Sequence, residues 1–362
     1  MSTRRDFIKK AAGAAASVVF TGCNMPGMAH AQGARKQTVI NGRRIKTIDI
    51  HAHCVIPEAV AATGRDPKSV LAGTTRGSDE LFIGAEPRLR AMDSQGIDVE
   101  ALSINPTWYN LDRDMAAKVV QIQNEKLAEL CAAHPDRFVA FASLALQHPD
   151  LAVQQLETAV KKFGLKGAAI GGSVAGVDFA DAKYHPVWAK AQELDVPLFI
   201  HPQSPPQLAS RYKGNGWLSN VIGNPLDTTI ALQHLIFEGT LDKFPKLKVC
   251  AAHGGGYLGS YAPRSDHGCF ISPQNCNPDI QLKKKPTEYL NQLYFDSLVF
   301  TDEALRHLAA QVGTSQIVIG TDHPIPWNEH PVDHILSTKT LSEKQKIAML
   351  SGNAAKLLGI KT

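Results

Sequence analysis

The chain contains 362 residues, of which 44% are hydrophobic, 28 are glycine and 21 are proline. This length can bury a sizeable core and fits one large domain or two ordinary ones. The formal net charge is +4, and no basic cluster typical of nucleic-acid binding stands out, so we expect no nucleic-acid partner.

The first 31 residues are predicted to be an export signal rather than part of the fold. Residues 3–9 read TRRDFIK, which carries the twin-arginine pattern, and a small-residue apolar run follows over residues 11–20. Ala29-His30-Ala31 then offers a cleavage site, so 32–362 would be the mature chain. We therefore expect the twin-arginine export machinery to recognise residues 1–31 and to deliver the protein to the periplasm.

The cysteines leave two alternatives open. Cys23 closes the segment FTGC, which resembles a lipoprotein cleavage box, so lipid anchoring at Cys23 is the alternative to cleavage after Ala31. Cys269 and Cys276 lie seven residues apart in a loop rich in Pro and Asn, where they either form a disulfide in an oxidising compartment or stay free. The remaining three lie in apolar elements and are expected to be buried thiols: Cys54, Cys131 and Cys250.

After residue 44, short apolar runs of the β type alternate with longer segments of helical periodicity. Most of the apolar runs are nearly continuous, as expected for parallel strands that are covered on both faces. Eight β/α units favour an α/β fold of the TIM (β/α)8 barrel type, a single domain with loop insertions, over a doubly wound open sheet. The predicted strands are 45–51, 98–104, 137–143, 166–171, 196–201, 247–253, 292–296 and 316–321.

Polar residues stand at the ends of several of these strands. His51 and His53 lie two apart at the end of the first strand, so their side chains share one strand face. His201, His253 and Asp322 end or follow other strands, and the carboxyl ends of barrel strands converge on one mouth. A lone H-x-H is usually a surface or core feature, but the set indicates a metal site because imidazole and carboxylate bind divalent ions such as zinc.

The chain resembles the amidohydrolase superfamily, in the branch that contains aminocarboxymuconate semialdehyde decarboxylase and related non-oxidative decarboxylases. The resemblance extends from the first predicted strand to the eighth. The segments that carry it are IDIHAH (48–53), RLRAMDSQGIDVEALS (88–103), HPDRFVAFASL (134–144), PLFIHP (197–202), FPKLKVCAAHGGG (244–256), PRSDHG (263–268) and IGTDHPIPW (319–327).

The resemblance implies which residues hold the metal. It makes His51, His53, His201 and Asp322 the ligands, and His253 the acid–base residue beside them. Two-metal members bridge their ions with a Lys or Glu at the end of the fourth strand, but in this chain Lys166 lies at the wrong end of that strand. We therefore predict one metal ion, Zn²⁺, with Mn²⁺ as the alternative.

The resemblance also implies substrate contacts. Arg264, in PRSDHG, matches an arginine that crosses a dimer interface to bind a substrate carboxylate, so we expect a homodimer; the alternative is a surface arginine. The loop after the first strand departs from the family, which makes Arg76 only a weak candidate for a second contact. Trp217 is a further candidate for the mouth of the site, as are Trp108 and Trp327, although single aromatic residues more often serve packing.

These residues predict a metal-dependent non-oxidative decarboxylase that acts on a small aromatic or unsaturated carboxylic acid. A water or hydroxide on the metal, His253 as proton donor and acceptor, and Asp322 as an assistant would carry the chemistry. Asp296, at the end of the seventh strand, would either orient His253 or cap a helix. The alternatives are an exported metal-dependent hydrolase of a lactone, ester or amide and, in a third class, a binding protein without catalysis.

Overall fold

The computed structural model describes residues 35–68, 82 and 84–362 of the chain. The predicted signal peptide 1–31, with Cys23, and the candidate Arg76 lie outside the described residues. In the part of the chain that is described, no helix is both long enough and apolar enough to cross a membrane.

The described chain begins with a two-stranded hairpin that the sequence analysis missed. Strands β1 (Thr38–Ile40) and β2 (Arg43–Ile45) pair antiparallel, with Thr38 opposite Ile45. Asn41 and Gly42 connect them with φ of 53° and 72°. An Asn-Gly pair at positive φ is the turn that two-residue hairpins favour, so the signal was present in the sequence.

Eight parallel strands follow, in the order that the apolar runs predicted. Their ends differ from the predicted ends by at most three residues. Most observed strands are shorter than the apolar runs that predicted them, whereas the first extends two residues further, to His53. The strands are β3 (Ile48–His53), β4 (Val99–Ser103), β5 (Phe138–Ala140), β6 (Ala168–Ile170), β7 (Pro197–Ile200), β8 (Lys248–Ala251), β9 (Leu293–Asp296) and β10 (Ile317–Val318).

The eight strands form a closed ring. Strands β3, β4 and β5 form one parallel ladder, and β6 to β10 form a second. A parallel bridge between Ala142 and Ala168 joins the ladders at one seam, and a bridge between Asp49 and Ile319 joins them at the other. At this second seam the Ile50 N–H donates to the Ile319 carbonyl at 3.0 Å. The TIM barrel prediction is confirmed, and the open sheet is excluded.

Helices lie between the strands, as the βα repeat requires. The longest, α3, begins after Asp112, whose carboxylate accepts a hydrogen bond from the Met115 N–H at 2.9 Å and so caps the first turn. The helices are α1 (Pro57–Ala62), α2 (Ala85–Gln95), α3 (Arg113–Ala133), α4 (Pro149–Lys161), α5 (His185–Glu193), α6 (Asn224–Phe237), α7 (Thr240–Lys243), α8 (Leu258–Ile271), α9 (Asp302–Val312), α10 (Pro331–Ser337), α11 (Glu343–Ile347) and α12 (Asn353–Leu358).

Of the two cysteine alternatives, the structure decides the one at Cys269 and Cys276, since Cys23 lies outside the described residues. Cys269, near the end of α8, forms a disulfide with Cys276. Cys54 and Cys250 are buried free thiols, and Cys131 is a partly buried one. Burial raises the pKa of the Cys54 thiol to about 11, so this side chain is a neutral, apolar group at neutral pH.

Aromatic packing inside the barrel supports the strand ends that carry the polar residues. Phe141 and Phe199 are both fully buried and stack with ring centroids 5.6 Å apart. Phe199 also lies edge-on to the His51 ring at 5.1 Å, and it precedes His201 by two residues on the same strand face. Phe199, which stacks on Phe141, therefore packs beside two of the candidate metal ligands, His51 and His201.

Replacing Phe199 with Ala is expected to lower the free energy of unfolding by about 3–5 kcal/mol, since it leaves a cavity in a closely packed interior. Urea denaturation of the metal-free protein measures this loss. Phe300→Ala, which removes a ring that is 56% exposed, is the control and should cost less than about 1 kcal/mol. Equal losses in the two variants would contradict the assigned role of Phe199.

Candidate metal centre

The structure brings the four predicted ligands together at the carboxyl ends of the strands. His51 and His53 end β3, His201 directly follows β7, and Asp322 follows β10. One potential ligand atom from each side chain lies within 4.8 Å of the other three, and all four residues are buried. Grouping of this kind is what convergence at one barrel mouth predicts.

The spacing of the ligand atoms suits a single small ion. The Asp322 Oδ1 atom lies 3.1 Å from His51 Nε2, 2.8 Å from His53 Nε2 and 3.8 Å from His201 Nε2. Ligands at about 2.0–2.1 Å from a tetrahedral ion are about 3.3 Å apart. The four donors, imidazole nitrogen and carboxylate oxygen, therefore fit one divalent ion in both number and separation.

His201 gives an independent test of that fit. Both of its ring nitrogens are buried and have no hydrogen-bond partner among the described residues. Burial lowers the pKa of His201 well below its ordinary value, so the ring is the neutral imidazole that coordination requires. A buried neutral imidazole without partners is costly, and a metal ion at Nε2 would satisfy one of its two nitrogens.

Neighbouring side chains fix the orientation of the other two imidazoles. His51 Nδ1 lies 2.6 Å from Asp296 Oδ2, and His53 Nδ1 lies 2.9 Å from the Ser103 hydroxyl oxygen. Both rings therefore direct Nε2 towards the centre. Hydrogen bonds of this kind to the distal nitrogen are the usual support of a metal-binding histidine.

The carboxylates also favour positive charge at this point. Burial alone would lower the pKa of His51, but Asp322 and Asp296 together raise it to about 10. The neighbouring His53 has its pKa lowered to about 4, with burial as the main cause. A divalent ion supplies the positive charge that the two carboxylates favour, while all three imidazoles stay neutral.

Asp296 has a role that the sequence analysis assigned only in part. Its Oδ2 atom accepts from the His253 backbone N–H at 2.9 Å, and Oδ1 accepts from the Gly254 N–H at 2.8 Å. It thus holds the backbone of the His253 turn, whereas the imidazole that it contacts belongs to His51. Sequence reasoning missed this contact, and it missed Ser103, because both join residues far apart in the chain.

Replacing Asp296 with Asn is expected to weaken metal binding about 10–100-fold, since the His51 ring loses its charged partner while a similar shape is kept. Competition with a chromophoric chelator measures the metal affinity. Asp302→Asn, at the start of α9, is the control and should bind metal as the wild type does. Unchanged affinity in Asp296→Asn would remove this carboxylate from the metal centre.

His253 lies beside the four ligands and is held by a tight turn. Its Nε2 atom is 3.6 Å from Asp322 Oδ2, and its buried Nδ1 has no hydrogen-bond partner among the described residues. The His253 backbone has a φ of 56°, and Gly256 follows at 67°, where a Cβ atom would lie 2.0 Å from the Pro225 carbonyl oxygen. Only glycine fits there, so the glycine run after β8 sets the position of the His253 ring.

A buried ion cluster lies behind His53. The Arg88 guanidinium contacts Glu100 at 2.8 Å and donates to the His53 carbonyl, and Glu100 Oε1 lies 2.6 Å from His323 Nδ1. Burial would raise the pKa of Glu100, but His323 and Arg88 lower it to about 2. The ionised cluster ties the end of β3 to α2, β4 and the segment after β10, and sequence reasoning did not find it.

A cavity of about 690 Å³ opens over the centre, and His53, His201 and Asp322 are part of its lining. Trp217 also lines it, as predicted for the mouth, and stacks on Trp327 with ring centroids 5.6 Å apart. A smaller adjoining cavity of about 190 Å³ has His253 and Trp327 in its wall. The larger cavity can therefore hold a small ring, and His253 borders the smaller cavity that adjoins it.

The other predicted contact residues have different roles. Trp327 donates its indole N–H to Asp322 Oδ2 at 2.8 Å, so it positions a ligand. Trp108 is buried and donates to the Leu144 carbonyl, which is a packing role. Arg264 is exposed on α8 and is not among the described residues that line the cavity, so its predicted role requires a second copy of the chain.

Two curated relatives resemble most of the chain. The 2-amino-3-carboxymuconate-6-semialdehyde decarboxylase of Dictyostelium discoideum is 32% identical over 279 residues, which are 75% of this chain and 76% of that protein. The gamma-resorcylate decarboxylase of Rhizobium radiobacter is 30% identical over 285 residues, 75% of this chain and 86% of that protein.

A solved structure gives the same relationship in three dimensions. The dihydroxybenzoic acid decarboxylase of a Polaromonas species, with bound manganese and the inhibitor 2-nitroresorcinol, superposes with a TM-score of 0.76 at 28% identity. That match covers 87% of this chain and 97% of the other. The sequence profile of the Amidohydrolase family matches residues 48–360, from β3 to the end of the barrel. The chain therefore belongs to the amidohydrolase family.

Proposed function

We propose that this enzyme is a metal-dependent non-oxidative decarboxylase of a small aromatic or unsaturated carboxylic acid. One observation carries the proposal: a buried centre of three histidines and one aspartate, with His253 beside it, opens into a cavity of about 690 Å³. The decarboxylases among its relatives support the reaction class.

The chain's own residues divide the work. A divalent ion bound at the centre supplies positive charge that stabilises the negative charge developing on the substrate. His253 gives a proton to the carbon that carries the carboxylate. The bond between this carbon and the carboxylate breaks, CO₂ leaves, and the electron pair of the broken bond stays with the carbon, where the new C–H bond forms. Asp322 accepts a hydrogen bond from Trp327, and its carboxylate lies 3.6 Å from His253 Nε2, where its negative charge favours the protonated imidazole that donates the proton.

The reaction class is tested by measuring CO₂. The metal-loaded protein should release CO₂ from at least one acid in a panel of hydroxylated benzoates and muconate-type acids, without any hydrolysis product. The same protein is incubated with a panel of lactones, esters and amides. If a lactone, ester or amide is hydrolysed and no acid releases CO₂, the enzyme is a metal-dependent hydrolase and the decarboxylase proposal is wrong.

The identity of the ion is the next part of the proposal. Zinc is the ion we expect, because the centre offers three imidazoles and one carboxylate at nearly tetrahedral spacing. Manganese is the alternative, since the Polaromonas decarboxylase contains it. Elemental analysis of protein purified without added metal distinguishes the two, and CO₂ release by apoprotein reloaded with each ion shows which one supports turnover.

We also propose an exported homodimer. The twin-arginine pattern in residues 3–9 supports export. Three large apolar side chains on α8, Tyr261, Phe270 and Ile271, are 68%, 83% and 73% exposed, and they share that helix with Arg264. An exposed apolar surface of this kind favours contact with a second copy of the chain, which would bring Arg264 towards the partner's cavity.

A further inference from the structure

The cavity over the metal centre has five amide side chains among its described lining residues, and the protein already satisfies some of them. Gln203 donates its Nε2 group to the Pro106 carbonyl, and Asn224 accepts from the Ser204 hydroxyl at 2.8 Å. These two amides are held as parts of the wall. The five are Asn105, Gln123, Gln203, Asn220 and Asn224.

Two of the other amides each have a buried oxygen atom without a hydrogen-bond partner among the described residues. Gln123, on α3, is only 5% exposed, yet its buried Oε1 atom has no hydrogen-bond partner among the described residues. Asn105 lies two residues after the end of β4, and its buried Oδ1 atom also has no hydrogen-bond partner among the described residues. Buried amide oxygens in folded proteins are nearly always paired, so two unpaired oxygens on residues that line one cavity indicate a ligand that pairs with them.

The surroundings of these amides define the chemistry of that ligand. Within the described lining no Lys or Arg is present, and the single carboxylate, Asp322, faces the metal ligands. Ile56, Val60 and Phe82 contribute apolar surface to the same cavity. An apolar ring with a neutral polar substituent therefore matches this wall, whereas a second charged group has no counter-ion there among the described residues.

We propose that Gln123 and Asn105 form a carboxamide subsite that binds a hydroxyl or amino substituent on the substrate ring. An amide oxygen accepts from such a group, and an amide NH₂ donates to a phenolic oxygen. The subsite selects hydroxylated or amino-substituted acids over the unsubstituted acid. The inference rests on the proposed function, in which the substrate acid loses its carboxylate beside the metal centre.

The test is a cycle that changes one ring substituent and one side chain. Calorimetry gives the affinity of the metal-loaded protein for benzoate, its three monohydroxy derivatives and 2,6-dihydroxybenzoate. At least one hydroxylated acid should bind the wild type about threefold to tenfold more tightly than benzoate does. Gln123→Met, which keeps length and volume, and Asn105→Leu should each reduce that preference while benzoate affinity stays within about twofold.

Gln121 offers a matched control, because it lies on the exposed face of α3 and donates to Glu125. Gln121→Met should retain the full preference for hydroxylated acids. A preference that is absent from the wild type, or unchanged in both Gln123→Met and Asn105→Leu, overturns the subsite.

Binding and turnover separate the two proposals. CO₂ release from hydroxybenzoates with an unchanged binding preference in both variants contradicts the subsite alone. A preference lost in both variants, in a protein that releases no CO₂ from any acid, contradicts the decarboxylase alone. Benzoate binding also reports whether each variant is folded. If one variant does not bind benzoate, the other variant alone is compared with the wild type.

Discussion

Replacing His253 with Gln is expected to lower kcat about 10²–10⁴-fold while the protein keeps its full metal content. His253 lies near Asp322 but is not one of the four residues whose ligand atoms group together. Glutamine has a similar reach and keeps an amide near the ring position, but it cannot donate a proton to carbon. Steady-state CO₂ release and elemental analysis of the same sample measure both quantities.

The histidine control for this experiment is His307, which is exposed on α9. His307→Gln should match the wild type in rate and in metal content. Two results would contradict the role of His253. One is a rate within about threefold of the wild type, far from the loss expected for a general acid. The other is loss of the metal, which would make His253 a ligand instead.

Replacing His51 with Ala is expected to abolish stoichiometric metal binding, and with it turnover. His51 is fully buried, its Nε2 atom lies 3.1 Å from Asp322 Oδ1, and its Nδ1 atom is bound by Asp296. The substitution removes one of four donors and leaves the Asp296 carboxylate buried without its imidazole partner, which is costly. Dialysis against a known concentration of zinc or manganese, followed by elemental analysis, measures the occupancy.

His307→Ala is the matched control for this loss and should bind one ion per chain. Retention of one ion per chain in His51→Ala would refute the centre as described. Circular dichroism of both variants shows whether the barrel is intact, because a ligand lost by unfolding would also remove the helical signal.

The barrel could be predicted from the sequence because its strands are buried on both faces. Continuous apolar runs such as VPLFIH mark such strands, and all eight are present in the predicted order. The polar residues at the carboxyl ends of these strands could be predicted as metal ligands, since the strand ends of a barrel meet at one mouth. The hairpin of β1 and β2 was missed, although Asn41-Gly42 signalled its turn, because the strands have only three residues each.

The supporting contacts could not be predicted from local patterns. Asp296 meets His51 across 245 residues of sequence, and Ser103 meets His53 across 50. Nothing in the local sequence around either residue indicates its partner, and only the closed barrel brings the partners together. The proposed contact of Arg264 depends on a second copy of the chain, so it stays a prediction. Gln123 emerged as a candidate only when its burial was known.

The most direct test of the account is anomalous diffraction from crystals of the metal-loaded protein, recorded at the absorption edge of the bound ion. We predict one peak per chain, at about 2.0–2.2 Å from His51 Nε2, His53 Nε2, one ring nitrogen of His201 and Asp322 Oδ1. A second peak in the same cavity, or a single peak that His253 coordinates in place of one of these four, would contradict the mononuclear centre and the separate role of His253.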